Sequence, residues 1–252
     1  SGCLPMCGHG TIGIVTIALE ENLIKPNVEG VLKIEVPAGT IEVNYKMKNE
    51  KVEWVEIRNV DSYLADRNLM IHSDYMGEIK FDVSYGGNFY AIIESQKNYF
   101  GLKNYRAEEL ISFSREIRDK INKKYANRFI HPIDKSIRDV SHILWTGQVL
   151  DNESSSRNAV FYGDKAIDRS PCGTGSSARM AQLFSQNKLK VGEAFIHESY
   201  IGSKFICRIE KSSKIHNIDG ISPIIRGWAK IHGYNKIIVD SSDPFYQGFQ
   251  VI

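Results

Sequence analysis

One short motif occurs twice in this chain, and each copy opens a segment that can form a helix. The first copy is Cys7-Gly8-His9-Gly10 and the second is Cys172-Gly173-Thr174-Gly175. In both copies a hydroxylated residue follows and begins a run of helical character. A cysteine at a helix N-terminus lies beside unpaired backbone N–H groups and the positive end of the helix dipole, and both stabilise a thiolate. The repeat therefore predicts two reactive thiols in equivalent positions on two matched units.

The similarity between the two segments extends beyond the motif. After the first helix come two alternating strands joined by a turn at Gly39, and after the second helix the same arrangement surrounds Gly202. An internal duplication of one α/β unit accounts for both segments. We therefore predict two lobes, the first from residues 1–60 plus 241–252 and the second from residues 61–240. Because the first lobe has much less sequence before its cysteine, we expect it to lack an upstream segment.

Composition narrows the class of protein. The 252 residues include 32 Lys and Arg against 30 Asp and Glu, so the net charge is only +2. The chain has no basic block that would bind phosphates, and we expect no nucleic-acid partner. No apolar run reaches the ~18 residues of a membrane span, so we expect no membrane partner. Four cysteines without disulfide-type spacing indicate a reducing compartment, and we predict a cytoplasmic protein.

Hydrophobic periodicity predicts the remaining helices and strands. Residues 11–23 are apolar on most faces, which is typical of a buried helix, whereas residues 107–125 carry one apolar stripe, which is typical of a helix covering a sheet. Periodicity lapses at residues 61–68, where we place the lobe boundary. A second buried helix is predicted at residues 175–187. Further strands are predicted at residues 51–60, 78–85, 89–93, 140–146, 159–162 and 236–239.

Two thiols that face one substrate carbon from opposite sides can invert its configuration. Cys7 and Cys172 would exchange the roles of general base and general acid, so that a proton leaves one face and another arrives on the opposite face. At a carbon next to a carboxylate, this reaction requires no cofactor. Backbone N–H groups at the two helix N-termini would stabilise the negative charge that develops on the carboxylate. These groups belong to Gly8, His9, Gly173 and Thr174.

Polar residues near the cysteines are candidates for binding the substrate's amino nitrogen. His9 lies two residues after Cys7, and Asp168 lies four residues before Cys172. Together they could orient the Cα hydrogen between the two sulfurs. The weaker candidates are His142, His197 and Tyr162.

Simpler interpretations of the same residues remain open at this stage. An isolated cysteine is more often a small buried hydrophobe than a reactive thiol, although the repeated context argues against this for Cys7 and Cys172. A metal site formed by these two cysteines and His9 is another alternative. Only two of its three ligands are close in sequence, and we expect no metal site. The residues expected to be structural are Cys3, Cys207 and His197.

The two cysteine motifs, together with Gly86-Gly87-Asn88-Phe89, resemble those of the proline racemase family. The likeness covers nearly the whole chain and is strongest to the 4-hydroxyproline epimerase branch, through Lys190-Val191-Gly192-Glu193 and His197-Glu198-Ser199. The resemblance implies the diaminopimelate-epimerase-like α/β (α+β) fold, with two pseudo-symmetric lobes that each wrap a sheet or barrel around a central helix. It also implies a cofactor-independent isomerase with its site between the lobes, and a homodimer.

The resemblance also implies roles for individual residues. Cys7 and Cys172 would be the two bases, and His9 and Asp168 would contact the substrate nitrogen. The substrate would be the small molecule trans-4-hydroxy-L-proline, converted to cis-4-hydroxy-D-proline. Proline racemase activity is the nearest alternative, whereas the dehydratase branch has threonine where this chain has Cys172. An alternative of another class is a truncated, inactive relative that binds an imino acid or a protein partner.

Overall fold

The computed structural model describes residues 5–248, which form three α-helices, one short 3-10 helix and twelve strands. The α-helices are α1 (Gly8–Glu20), α2 (Ala107–Lys124) and α3 (Gly173–Ser185). The strands are β1 (Val31–Val36), β2 (Gly39–Lys48), β3 (Lys51–Arg58), β4 (Ser62–Ser73), β5 (Gly77–Tyr85), β6 (Phe89–Ile93), β7 (Val140–Gly147), β8 (Ser156–Tyr162), β9 (Ala166–Ile167), β10 (Ala194–Glu198), β11 (Lys204–Ile215) and β12 (Ile218–Gly227).

Eight of these strands close into a barrel around α3. Their order is β12-β11-β10-β8-β7-β6-β5-β4, and the pairing of Gly220 on β12 with Tyr63 on β4 closes the ring. Inside it, α3 packs against β4, β5, β6, β11 and β12. Every residue from Gly173 to Gln182 is buried, as expected for a helix enclosed on all sides. This confirms the buried helix predicted at residues 175–187.

A smaller sheet continues from the barrel and carries α1. Strands β1, β2 and β3 pair in sequence, and β3 pairs with β12, with Ile57 opposite Ile225. One face of α1 packs on β3 and β12. The other face is exposed, because the exposed fractions of Ile14 and Ile17 are 67% and 45%. The prediction that this helix is buried holds for one face only, because within residues 5–248 strands β3 and β12 cover it from one side.

Each cysteine-led helix is followed by a hairpin, as the sequence repeat predicts. Strands β1 and β2 pair antiparallel and meet at Val36 and Gly39, and β10 and β11 pair antiparallel and meet at Glu198 and Lys204. Both α1 and α3 contain 13 residues. The two motifs therefore begin matched helix–hairpin units, with one helix beside the barrel and the other inside it.

The amphipathic helix α2 covers the outside of the barrel. Its stripe of Leu110, Ile117 and Ile121 is fully buried, and the helix packs on β4, β7 and β8. Acidic residues begin the helix and lysines end it, which complements the helix dipole. The structure confirms the helix predicted at residues 107–125.

Two irregular segments depart from the simple patterns in the sequence. Residues 61–68 lose the alternation of polar and apolar side chains because bulges around Asp66 shift the register of β4 against β5. Most of this segment is nevertheless part of the long strand β4. The strand predicted at residues 236–239 is wrong. Its apolar side chains are exposed, with Ile237 at 83%, and among the described residues no strand lies beside it to supply ladder hydrogen bonds.

The predicted division into lobes, residues 1–60 plus 241–252 and residues 61–240, stays a prediction. One hydrophobic cluster contains residues from both segments, including Ile57 and Phe195. Cys3 and residues 249–252 lie outside the described part of the chain. None of the helices within residues 5–248 combines the length and apolar character needed to cross a membrane.

Candidate active site

The N-termini of α1 and α3 touch through their first glycines. A Cβ atom added to Gly8 would lie 2.8 Å from the Cα of Gly173, and one added to Gly173 would lie 2.9 Å from the Cα of Gly8. Only glycine allows two backbones to approach this closely. The contact brings together the N-cap residues of the two helices, Cys7 and Cys172.

Both cysteines line one cavity of about 170 Å³ at this junction. The cavity also contains the residues that the sequence singles out for substrate binding. Its lining consists of Met6, Cys7, Gly8, His9, Asn88, Tyr90, His142, Tyr162, Asp168, Cys172, Gly173 and Thr174. A larger groove of about 450 Å³ near β11 and β12 is lined by Lys214 and Asp219 among others, but by no cysteine or histidine. The smaller cavity is therefore the candidate active site.

The surroundings of Cys7 favour its thiolate. A Cβ on Gly10 would lie 3.1 Å from the Sγ of Cys7, so glycine there leaves room for the sulfur over the first turn of α1. The hydrogen bond with His9 lowers the pKa of Cys7 below its ordinary value, and burial opposes this shift. The positive charge of His9 and the backbone N–H of Gly10 lower this pKa further. Cys7 is the thiol that ionises more readily.

His9 connects Cys7 to Asp168. Its Nδ1 lies 3.1 Å from the Oδ2 of Asp168, whose side chain is buried. This hydrogen bond, followed by the one with Cys7, raises the pKa of His9 to about 10. The Oδ1 of Asp168 accepts a hydrogen bond from the N–H of Ser170 at 2.8 Å, which fixes the carboxylate. At neutral pH His9 is therefore an imidazolium between a carboxylate and a sulfur.

Cys172 occupies a more constrained position than Cys7. Its φ angle is +63°, in the left-handed region that most side chains avoid. Two hydrogen bonds hold this conformation. The N–H of Cys172 donates to the Oγ of Ser170 at 3.0 Å, and its carbonyl accepts from the N–H of Ser176 at 2.7 Å. Backbone strain that the surroundings maintain in this way is concentrated at functional sites.

The burial of Cys172 shifts its pKa in the direction opposite to that of Cys7. Burial raises the pKa of Cys172 to about 12, and the negative charge of Asp168 adds to this rise. Hydrogen bonds from Tyr90 and from the N–H of Gly175 act in the other direction. The same motif therefore produces two different thiols: the surroundings lower the pKa of Cys7 and raise that of Cys172, which stays a thiol at neutral pH.

The weaker histidine and tyrosine candidates lie in different places. His142 lines the cavity, and its ring lies tilted against that of Tyr90 with 4.7 Å between ring centroids. Burial lowers the pKa of His142 to about 4, so it is neutral. The half-buried Tyr162 also lines the cavity. His197 does not line it. That side chain is fully buried and lies 2.8 Å from the Oγ of Ser176, which agrees with a structural role.

Asn88 and Tyr90 line the cavity, although sequence analysis did not propose them as site residues. The Nδ2 of Asn88 donates to the carbonyl of Met6 at 3.1 Å and lies 3.5 Å from the Oγ1 of Thr174, so it connects the two cysteine loops. In the sequence, the glycine pair Gly86-Gly87 just before Asn88 was the feature that could have indicated them. A Cβ on Gly86 would lie 2.2 Å from the carbonyl oxygen of Thr174, so this turn lies in close contact with α3.

In the alternative interpretation, Cys7, His9 and Cys172 would bind a metal ion. Within residues 5–248, no group of three or more His, Cys, Asp or Glu side chains has an arrangement suited to a metal ion. His9 is engaged by Asp168 and Cys7, and Cys172 by hydroxyl and amide donors.

Two proteins with similar sequences are named 4-hydroxyproline 2-epimerase. The chain is 55% identical to the 4-hydroxyproline 2-epimerase of Spirosoma linguale and 51% identical to that of Shewanella loihica, in each case over 252 residues. Each comparison covers all of this chain, which spans 75% of the relative's length. A family model described as proline racemase matches residues 1–250.

Two crystal structures share the fold. The hydroxyproline epimerase from Agrobacterium vitis with bound trans-4-hydroxy-L-proline has a TM-score of 0.90 and 26% identity, over 98% of this chain and 71% of that one. The probable proline racemase from Agrobacterium radiobacter with bound carbonate has a TM-score of 0.88 and 27% identity, over 98% and 72%. These likenesses confirm the predicted fold class. With its whole length matched, the chain belongs to the proline racemase family.

Proposed function

We propose that this chain is an isomerase that inverts the Cα of 4-hydroxyproline, converting trans-4-hydroxy-L-proline to cis-4-hydroxy-D-proline. The observation that carries the proposal is the junction of α1 and α3, where Cys7 and Cys172 line one cavity. The names of the relatives at 55% and 51% identity point to this substrate. The ligand in the Agrobacterium vitis structure supports the same choice.

In the proposed reaction the two cysteines act on opposite faces of Cα. The thiolate of one cysteine removes the Cα proton, and the electrons of the broken C–H bond move into the carboxylate. The thiol of the other cysteine then delivers its own proton to the opposite face. The thiolate and thiol have exchanged places at the end, so the same arrangement catalyses the reverse reaction. No cofactor takes part in these steps.

The acidities of the two thiols set the starting state. Cys7 begins as the base because the His9 imidazolium stabilises its thiolate, and Cys172 begins as the acid because burial keeps it protonated. The proton of Cys172 is therefore available for the face opposite Cys7.

The helix N-termini stabilise the negative charge that forms on the carboxylate. The first helical hydrogen bonds come from the N–H groups of Thr11 and Ser176. Of the preceding N–H groups, those of Gly10 and Gly175 bond to the cysteine sulfurs, and the others have no partner within the helix and can face an anion. Those assigned to the carboxylate are the N–H groups of Gly8, His9, Gly173 and Thr174. Fixed donors of this kind stabilise a developing charge without reorganisation.

The remaining lining residues fit an imino acid with a ring hydroxyl. His9 and Asp168 are assigned to the substrate nitrogen, since both line the cavity. His142 and Tyr162 are assigned to the hydroxyl, because a neutral imidazole and a phenol can each donate and accept a hydrogen bond. Proline, which lacks that hydroxyl, is the nearest alternative substrate. A higher kcat/KM for L-proline than for trans-4-hydroxy-L-proline would make proline racemase the better assignment.

Replacement of either cavity cysteine is expected to stop turnover. Serine keeps the size of the side chain but is too weak an acid to supply a base near neutral pH. We expect Cys7→Ser and Cys172→Ser each to lower kcat by about 100- to 10,000-fold. Turnover is measured by optical rotation and by incorporation of deuterium at Cα of the product in heavy water.

Cys207→Ser is the matched control for these variants. Cys207 is buried in β11 and does not line the cavity, so its variant should still exchange the Cα proton. Continued inversion by the Cys7→Ser/Cys172→Ser double variant would show that another pair of groups performs the reaction. Substrate binding without deuterium incorporation by the unaltered chain would favour the rival interpretation, an inactive binding protein.

A homodimer and a cytoplasmic location complete the proposal. The first rests on the family resemblance and the second on the cysteine content of the sequence. Light scattering coupled to size exclusion tests the first, and fractionation of the source cells tests the second.

A further inference from the structure

The sulfur of Cys172 is surrounded by neutral hydrogen-bonding groups. Tyr90 on β6 is fully buried, and its Oη lies 3.3 Å from the Sγ of Cys172 and 2.6 Å from the Oγ1 of Thr174. The N–H of Gly175 donates to the same sulfur at 3.4 Å, and the Oγ1 of Thr174 lies 3.7 Å from it. His142, whose ring contacts that of Tyr90, is neutral. A negative charge on Cys172 therefore has to be stabilised by hydroxyl and amide groups, unlike the charge on Cys7.

The proposed reaction requires Cys172 in both protonation states. In one direction it delivers a proton as a thiol, and in the other it removes a proton as a thiolate. A neighbour that serves both states must accept a hydrogen bond in one and donate in the other. The hydroxyl of Tyr90 has this capacity, because it carries one hydrogen and also accepting lone pairs.

We propose that Tyr90 is the positioning residue that holds the Cys172 sulfur in both protonation states by reversing a short chain of hydrogen bonds. This inference rests on the proposed function. For the thiolate, the Nδ2 of Asn88 donates to the Oγ1 of Thr174, the Thr174 hydroxyl donates to the Oη of Tyr90, and Tyr90 donates to the sulfur. For the thiol, Tyr90 turns its hydrogen toward Thr174 and its Oη can accept from the S–H group. The change is a rotation of hydroxyl hydrogens, and no covalent bond changes.

The setting of Tyr90 suits this role. Burial, followed by the charge of Cys172, raises the pKa of Tyr90 well above its ordinary value, so the phenol stays protonated and does not replace the cysteine as a base. Its ring lies against His142, which is its register partner on β7. Packing thus fixes the hydroxyl beside the sulfur, and a loss of this one oxygen would leave the ring in place.

The test is the rate at which iodoacetamide alkylates Cys172 in a Cys7→Ser background. The mass of the Cys172 peptide reports this rate, which at about pH 8 is proportional to the thiolate fraction. A hydrogen bond to a charged group stabilises the charge. Loss of this bond should therefore lower the thiolate fraction of Cys172 by about 10- to 100-fold. Addition of Tyr90→Phe is therefore expected to slow alkylation by about 10- to 100-fold. In the chain with Cys7 intact, kcat is expected to fall similarly while KM changes little.

Tyr99→Phe is the matched control. Tyr99 is also fully buried, but its hydroxyl donates to the carbonyl of Thr146 at 2.7 Å, and it does not line the cavity. Its variant should alkylate at the rate of the Cys7→Ser parent. Equal alkylation rates for Tyr90→Phe and Tyr99→Phe would overturn the proposal. Failure of the unaltered chain to exchange the Cα proton would instead reject the proposed function, because alkylation is measured without substrate.

If Tyr90→Phe does not fold, a second pair of variants tests whether the chain of hydroxyl groups acts on the Cys172 sulfur. Thr174→Val removes the hydroxyl that contacts both Tyr90 and the Cys172 sulfur, whereas Thr174→Ser keeps it. We expect slower alkylation of Cys172 in Thr174→Val and the parent rate in Thr174→Ser. An unchanged rate in Thr174→Val would show that the chain of hydrogen bonds does not act on the sulfur.

Discussion

Gly173→Ala is expected to lower kcat/KM by at least about 100-fold and the free energy of unfolding by about 1–3 kcal/mol. The added Cβ would lie 2.9 Å from the Cα of Gly8, and the nearest atoms are all backbone. Backbone cannot rotate away as a side chain can, so the N-termini of α1 and α3 have to separate. Separation moves Cys7 relative to Cys172, and a shift of about 1 Å at reacting atoms is enough for a loss of this size. Denaturant unfolding and kcat/KM measure the two effects.

Gly13→Ala provides the comparison. Gly13 lies in the middle of α1, and a Cβ added there meets nothing within 4 Å. Alanine is the better helix former by about 1 kcal/mol, so this variant should be at least as stable as the parent and equally active. If Gly173→Ala matched Gly13→Ala in activity, the close contact of the two helices would not determine the position of the sulfurs.

The parts of the fold that sequence analysis predicted are those with a local signal. The stripe on α2 and the hairpins around Gly39 and Gly202 depend on residues close in sequence, and each has the predicted form. The closure of the barrel depends on Gly220 pairing with Tyr63, and nothing in either segment specifies that partner. The exposed face of α1 was missed for the same reason, because apolar periodicity does not show which side a sheet covers.

The candidate site divides in a similar way. The repeated motif identified Cys7 and Cys172 because a cysteine before Gly-x-Gly is unusual and occurs twice. Asn88 lies in a buried turn and Tyr90 in the buried strand β6. In such segments the sequence predicts burial but does not show which residues face the cavity. Their importance arises from distances across the barrel, such as the 3.3 Å between Tyr90 and Cys172. The unequal acidities of the two cysteines also come from three-dimensional surroundings, since their motifs are nearly the same.

Loss of the His9 charge is expected to raise the pKa of Cys7 and shift its reactivity to higher pH. The hydrogen bond with His9 is the largest cause of the lowered pKa of Cys7, and the positive charge of His9 acts in the same direction. His9 itself keeps that charge up to its pKa of about 10, so its positive charge acts on Cys7 throughout the neutral range. Glutamine can still hydrogen-bond but cannot carry the charge. In His9→Gln the alkylation midpoint of Cys7 should therefore move up, toward the ordinary thiol pKa of ~8.5.

The experiment uses a Cys172→Ser background, so that alkylation of the cavity reports Cys7 alone, and it omits substrate, so that loss of substrate binding cannot affect the result. Since the thiolate fraction falls as the pKa rises above the pH, we expect alkylation of Cys7 at neutral pH to be slower in His9→Gln. His72→Gln is the control, because that side chain is exposed on β4 and does not line the cavity. A midpoint in His9→Gln equal to that in His72→Gln would mean that Cys7 owes its acidity to the helix N-terminus alone. The two cysteines would then differ only through the burial of Cys172.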